Sequence, residues 1–334
     1  SPEQASAPVQ RTAQSGNASI AVLPFENLSD DAENEFFADG LTEELIQALA
    51  GVQGLDVPAR TSVFALKGKQ LDIKDAGERL GVDTLLNGSV RKSGNQLRIT
   101  AQLVKVEDGF QLWSQTYDRK LEDVFAIQDE ISENIVEALR VTLAPGARQT
   151  STERVVAADA RAYDYYLRGR GYFRQRTRDT FELAREMFEK AIEIDPGYAP
   201  AYAGLADCYT EFYRNYDSSD EVLQAADEAS SKAVALAPGL AHAHASRGYA
   251  LGMQKRYEEA EREFDVAIRL NPTIPEPFYY FGTVAFSQGR IEKAGQLFEK
   301  AVEVAPDDLR ALRLLPQVYR SLGRQRDVQE ANQR

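Results

Sequence analysis

Apolar residues in the first third of the chain recur with two different periods. The run 19–25, Ser-Ile-Ala-Val-Leu-Pro-Phe, is a short apolar stretch closed by proline and predicts a first strand. Leu41, Leu45, Ile46 and Leu49 share one helical face and predict a helix over 42–49 lying on a sheet. Leu55 and Val57 mark a second strand, and Ile73, Ala76 and Leu80 a short helix closed by Gly81. The period then changes to two. Residues 85–91 predict a strand, 93–95 a turn, Leu97, Ile99, Ala101 and Leu103 a strand with one buried face, and 111–117 a third. Val124, Ile127, Ile131, Ile135 and Leu139 then predict a long helix over about 123–143. This order predicts an α/β domain over 19–144, with helices packed on one side of a mixed sheet.

Beyond a polar connector at 145–156, where Pro145 and Gly146 end the preceding helix, every periodic stretch is helical and an internal repeat fixes the architecture. Ala260, Phe264, Ala267 and Pro272 return as Ala294, Phe298, Ala301 and Pro306, each displaced by 34 residues. Ala184, Phe188, Ala191 and Pro196 carry the same internal spacing; Ala226, Ser230, Ala233 and Pro238 form the intervening copy. Pro196 and Pro238 lie 42 apart, which fits one period plus an eight-residue insertion near 215–220. A 34-residue period with small residues at fixed positions and proline after the second helix is the tetratricopeptide pattern. Alanine lets paired helices approach, phenylalanine fills the space between them, and the copies must stack to bury their apolar faces. Four repeats and a last helix over about 309–322 predict an all-α solenoid at 157–322, with 323–334 as a tail. Gly248 and Gly282 fit a close crossing in the first helix of their pairs.

Composition then narrows the function. With 43% hydrophobic and 27% charged residues in 334, the chain folds, and its length suits two domains. Its 52 acidic against 39 basic residues give a net charge of −13, a mean field that opposes binding of nucleic acid or anionic membrane. Cys208 is the only cysteine, which excludes an intrachain disulfide and a thiolate metal cluster. Residues 1–18, rich in Ser, Ala, Gln and Pro, read as a linker or disordered tail. The chain starts without methionine and reads as a fragment of something longer; no run of about 18 apolar residues is present to span a bilayer.

The run 19–29 (Ser-Ile-Ala-Val-Leu-Pro-Phe-Glu-Asn-Leu-Ser) resembles the start of the TolB amino-terminal-like domain of bacterial signalling proteins. The runs 36–45, 60–62, 86–91 and 112–114, with Tyr117 and Asp118, are similar to its later segments. The resemblance implies a sensory or scaffold region downstream of a winged-helix regulator with one membrane span, of a class III adenylate cyclase domain, or of a kinase-like domain. It brings no catalytic residue or ligand, and nothing here resembles the TolB propeller.

No site chemistry assembles by motif. His242 and His244, two apart on a helix, point to different faces and do not chelate together. Cys208 lies among apolar residues and reads as an inert buried thiol. Asp39 or Thr42 reads as a helix cap, with Glu43 and Glu44 in a first turn where they favour the helix dipole. Residues 87–89 lack the glycine spacing and lysine of a phosphate loop. No cofactor and no metal site are expected. Arg168, Arg170, Arg174, Arg176 and Arg178 crowd the first repeat and read as a solvated face or as salt bridges to nearby acids, with an anion or acidic-partner site as the alternative. Counting the 34-residue frame back from the prolines puts Asp207, Tyr249, Met253, Tyr279, Thr283 and Phe286 on the concave groove, extended by Arg310, Arg313 and Gln317.

The reading that results is a non-catalytic sensory or scaffold protein that binds a protein or peptide through this groove. An enzyme with its site in the α/β domain, or a purely structural assembly component, is the alternative. A homo-oligomer is compatible, although no symmetric contact pattern emerges. A location on the extracytoplasmic side of a bacterial inner membrane is expected, with the cytoplasm as the rival. The two domains are expected to share an interface, with Ala162, Tyr163, Tyr165, Tyr166 and Leu167 covering the end of the first repeat.

Overall fold

The computed structural model describes residues 17–52, 54–69, 71–139, 157, 159–306 and 309–331. The linker read at 1–18 falls almost entirely outside these residues, and so does the connector at 145–156 with the expected end of the preceding helix.

The α/β domain is a mixed sheet of six strands. β1 (Ala18–Val22) pairs in parallel with β3 (Leu55–Asp56) on one side and with β4 (Thr84–Ser93) on the other. The short β2 (Glu26–Asn27) also pairs in parallel with β4. β4, β5 (Gln96–Lys105) and β6 (Gln111–Lys120) form the antiparallel meander, giving the order β3-β1-β4-β5-β6. Alternation along β1 and β4 sends successive residues to opposite faces. Ile20, Val22 and Leu86 face a core closed by α1 (Glu35–Ala50) and α4 (Val124–Leu139). Ala21 and Leu85 face a smaller core shared with Val63 of α2 (Arg60–Phe64) and Ala76 of α3 (Ile73–Leu80). Helices therefore cover both faces of the sheet, not the single face expected from the order of elements. The second layer is small because α2 and α3 are short.

α1 also starts a full turn and more before the expected position 42. Asp31 instead caps the preceding 3-10 turn (Ala32–Asn34), its side chain accepting from the Glu33 amide. Asp39 and Thr42 lie inside the helix and cap nothing: Asp39 pairs with Lys67, and Thr42 Oγ1 donates to the Ala38 carbonyl while accepting from the Phe25 amide at 3.0 Å. Glu43 is likewise no first-turn acid.

The helical region pairs α5 (Ala160–Gln175) with α6 (Arg178–Ile194), α7 (Ala199–Asn215) with α8 (Asp220–Leu236), α9 (Ala241–Met253) with α10 (Tyr257–Leu270), and α11 (Glu276–Ser287) with α12 (Ile291–Val304). The repeated phenylalanines sit on first-helix glycines. A Cβ on Gly248 would lie 2.8 Å from the Phe264 ring and one on Gly282 2.7 Å from Phe298; Phe188 is held between Gly169 and Gly204 in the same way. These rings are buried between helices that only glycine lets approach so closely. The eight inserted residues do not all enter a loop. α7 runs 17 residues against 13 in α9 and 12 in α11, so part of the insertion adds a turn of helix carrying Arg214 and Asn215. After α13 (Leu309–Ser321) the chain does not trail off as a tail at 323 but forms α14 (Gln325–Ala331), whose Val328 and Ala331 pack on the terminal core.

The two regions share one core. Tyr163, Tyr166 and Leu167 of α5 are buried in the same cluster as Phe37, Leu41 and Ile131. Leu167 packs directly on Gly40 of α1, and the Phe36 and Tyr172 rings meet at 4.8 Å. Lys92 of β4 pairs with Asp164 at 2.7 Å, both nearly buried. No helix among the described residues is long and apolar enough to cross a membrane.

Candidate functional site

The first helix of each pair turns one edge toward the α/β domain. Between them lies a cleft of about 1970 Å³, walled on one side by α1, the segment after β3 and α4, and on the other by α5, α7, α11, α13 and the turns entering α9 and α11. Three polar systems occupy its walls.

The first joins the two regions. The Glu43 carboxylate, on α1 and almost fully buried, accepts from Arg170 and Arg174 of α5, and Arg60 Nε stands at 3.2 Å. Arg168, on the same helix, reaches Glu33. Burial alone pushes the Glu43 carboxyl up, but Arg170, Arg174 and Arg60 together reverse that and hold it at about 2. Of the arginine cluster in the first repeat, four members bond to acids that lie far off in sequence: Arg168 to Glu33, Arg170 and Arg174 to Glu43, and Arg176 to Glu211.

The second system lies deeper in the repeats. Glu211, fully buried on α7, accepts at Oε2 from Arg176 at 3.0 Å, from Arg214 at 3.1 Å and from Asn215 at 2.9 Å, and at Oε1 from the Tyr249 hydroxyl at 3.2 Å. Burial raises its carboxyl, yet Arg214 and Arg176 outweigh burial and leave it below the ordinary glutamate value. The Arg310 guanidinium lies 4.9 Å from the centre of the Tyr279 ring while pairing with Glu276 at 3.3 Å.

The third system is Asp207, whose Oδ2 accepts from the Tyr280 hydroxyl and contacts His242 Nε2, both at 2.8 Å. His244 points elsewhere, to Glu263 and the Pro238 carbonyl. No group of three or more His, Cys, Asp or Glu suited to a metal occurs among the described residues. Cys208 is buried, and burial raises its thiol well above the ordinary value.

Of the nine groove residues read from the sequence, Asp207, Tyr279, Arg310 and Arg313 line this cleft. The other five do not. Tyr249 is fully buried, stacked on Tyr280 at 4.3 Å and 7°. Thr283 is buried and donates to the Tyr279 carbonyl, Met253 and Phe286 pack against the core of the later repeats, and Gln317 stands exposed on α13 outside the cleft lining. Four of these five, Tyr249, Met253, Thr283 and Phe286, miss the cleft for one reason. The C-terminal halves of α9 and α11 are covered by their neighbours, as where Val284 presses on Gly252, so only their N-terminal ends reach the cleft. The cleft residues missed were Arg214 and Tyr280, together with Glu43 and His242 read in other roles. The length of the insertion before Pro238 was the one available sign that α7 extends to carry Arg214.

Comparison with known proteins agrees with this division. Residues 16–134 match the model of the HilA/YgeH-like transcriptional regulator second domain, and residues 178–237 and 278–308 match tetratricopeptide repeat models. The first match carries the HilA-like label, not the TolB-like one read from the sequence. The chain is 42% identical over 246 residues to a protein of Rhizobium meliloti (strain 1021) named "Putative adenylate cyclase 3", covering 73% of this chain and 42% of that protein. It is 23% identical over 290 residues to the transcriptional regulator HilA of Salmonella typhimurium, covering 86% of this chain and 51% of HilA. The chain thus spans about half the length of the curated relatives it matches, or less. Among solved structures, a thermophilic tetratricopeptide protein of Thermus thermophilus covers 59% of this chain and 93% of its own at 20% identity, with a TM-score of 0.40.

Proposed function

We propose that this chain is the non-catalytic sensory or scaffold region of a bacterial signalling protein, and that it binds a segment of another protein in the cleft. One observation carries the reading: an open cleft of about 1970 Å³ runs along the repeat stack, walled by both regions and lined by polar groups already engaged with one another. A volume this large suits a polypeptide segment better than a small molecule, whose pockets run to about 300–1,000 Å³. In this reading the HilA-like domain and the repeats act as one unit, because one core runs through both. The output chemistry belongs to a module such as those for which the Rhizobium and Salmonella relatives are named. The unit is further proposed to stand on the extracytoplasmic side of the inner membrane. An alkaline phosphatase fusion to the intact protein is expected to be active there; an inactive fusion places the unit in the cytoplasm.

The cleft is tested by filling it. Ala48 and Thr273 are exposed on opposite walls. Ala48→Trp and Thr273→Trp are each expected to leave the melting temperature unchanged. Each is also expected to abolish retention of a partner that the wild-type chain captures from its own organism. A partner held equally by both variants counts against the cleft and for the outer face of the solenoid.

A further inference from the structure

We infer that Arg176, Arg214 and Arg310, gathered around Tyr279, form a carboxylate-recognition subsite of the cleft for an acidic, leucine-bearing segment of the partner protein. The inference rests on the cleft reading above and narrows it to one chemistry.

Three elements deliver these side chains to one place. Arg176 follows α5 with φ 56° and ψ 33°, a left-handed conformation that a residue with a side chain adopts only when its surroundings hold it there. That turn sends its guanidinium across to Glu211 on the next pair. Arg214 rides on the added turn of α7, and Arg310 opens α13. The left-handed turn recurs between the helices of later pairs, at Lys255, Gly289 and Gly323, whereas the added turn of α7 is outside the repeat pattern; both bring cations to the same wall.

Charge is left over there. Glu211 serves two guanidinium groups with a single oxygen and spends the other on Tyr249, so it neutralises one of the two. Arg310 has Glu276, while Arg313, one turn further along α13, is exposed and forms no ion pair among the described residues. Arg176, Arg214, Arg310 and Arg313 thus gather on the repeat side of the cleft with Glu211, Glu276 and Asp207, while Glu44, Asp56, Asp129 and Glu133 line the facing wall, so the positive charge is local to this side. Asp207 is occupied by Tyr280 and His242. Each guanidinium carries five N–H donors. Arg176 and Arg214 give one apiece to Glu211 and keep side-chain exposures of 26% and 27%, so donors remain for an incoming anion. In a half-enclosed wall such charge-assisted bonds are stronger than on an open surface.

Apolar surface adjoins the cations. Leu309 is 58% and Leu270 38% exposed, and both line the cleft with Leu314 and Ile274 beside Arg310 and Arg313. A segment that presents carboxylates on one side and leucines on the other meets both surfaces at once.

The test uses three fluorescein-labelled amphipathic peptides of equal length, one of Leu and Glu, one of Leu and Gln, one of Leu and Lys. Anisotropy is measured against the whole chain at low and at 0.5 M salt. The Leu/Glu peptide is expected to bind at least tenfold more tightly than the other two and to weaken with salt. Arg310→Gln and Arg313→Glu are each expected to cost it at least fivefold, whereas Arg290→Gln on the outer face leaves it unchanged. Arg313 is exposed and has no ion pair to lose among the described residues, so that variant is expected to keep its fold. Equal binding of the three peptides overturns the inference, and so does Leu/Glu binding indifferent to both cleft variants. If Ala48→Trp still blocks that indifferent binding, the cleft reading survives and the subsite alone fails. If it does not, both fail.

Discussion

A Glu43→Gln chain is expected to lose about 3–5 kcal/mol of stability, the usual cost of stranding buried charge. The carboxylate is the common acceptor for Arg170 and Arg174 across the junction and lies beside Arg60. Glutamine keeps the shape and removes the charge, leaving guanidinium groups partly out of water with nothing to balance them. Because the junction is one continuous core, the loss is expected to appear in the main unfolding transition and not as fraying of one end. The effect has a pH signature. A carboxyl held at about 2 when folded and at 4.5 when unfolded contributes stability that is fully present above about pH 4.5. That contribution, roughly 3 kcal/mol, is lost as pH falls from 4.5 toward 2. Urea titrations of both chains from pH 7 to pH 3 should therefore show the gap between them narrowing with acid. A gap that stays constant would mean the charge of Glu43 is not what holds the junction.

The same residue marks where sequence reading stops. A glutamate just after Leu41 and Thr42 looks like a first-turn acid, because the apolar period becomes regular only from Leu41. The helix begins earlier, at Glu35, and the two aromatic residues that follow serve different purposes: Phe37 fills the sheet core while Phe36 meets Tyr172 of the repeats. Glu43 finds its partners 127 and 131 residues away, and no local period encodes a pairing of that range. The repeat stack was far more legible. Its contacts recur at the repeat distance, as between Glu276 and Arg310, 34 residues apart, and each ring is paired with a small residue whose spacing is visible in the chain. Groove residues were legible only to the extent that the ideal repeat holds. Tyr279 and Arg310 obey it, and Arg176 stands in a left-handed turn that recurs at Lys255, Gly289 and Gly323, whereas Arg214 depends on a lengthened helix that interrupts it.

The closest test of why the repeats need their small residues is a pair of changes at one crossing. Phe264→Ala removes a fully buried ring that stacks on Phe281 at 4.8 Å and 15°, and is expected to cost about 3–5 kcal/mol through lost burial and the cavity left behind. Gly248→Ala places a methyl 2.8 Å from that ring and is expected to cost about 1–3 kcal/mol by overpacking, even though alanine favours a helix over glycine by about 1 kcal/mol. In the Phe264→Ala background the obstruction is gone. There the same Gly248→Ala change should become stabilising, since the helix preference is all that remains and the new methyl fills part of the cavity. Thermal melts of the four chains read the sign directly, and the expected coupling exceeds about 1 kcal/mol. Simple additivity would show that the Phe264 ring is not what requires glycine at position 248. The site also sits in the middle of the stack, where each pair is stabilised by contact with its neighbours. Loosening it should expose Tyr249, Tyr280 and the Glu211 system together, so peptide binding in the cleft is expected to fall in Phe264→Ala and to recover in part with Gly248→Ala.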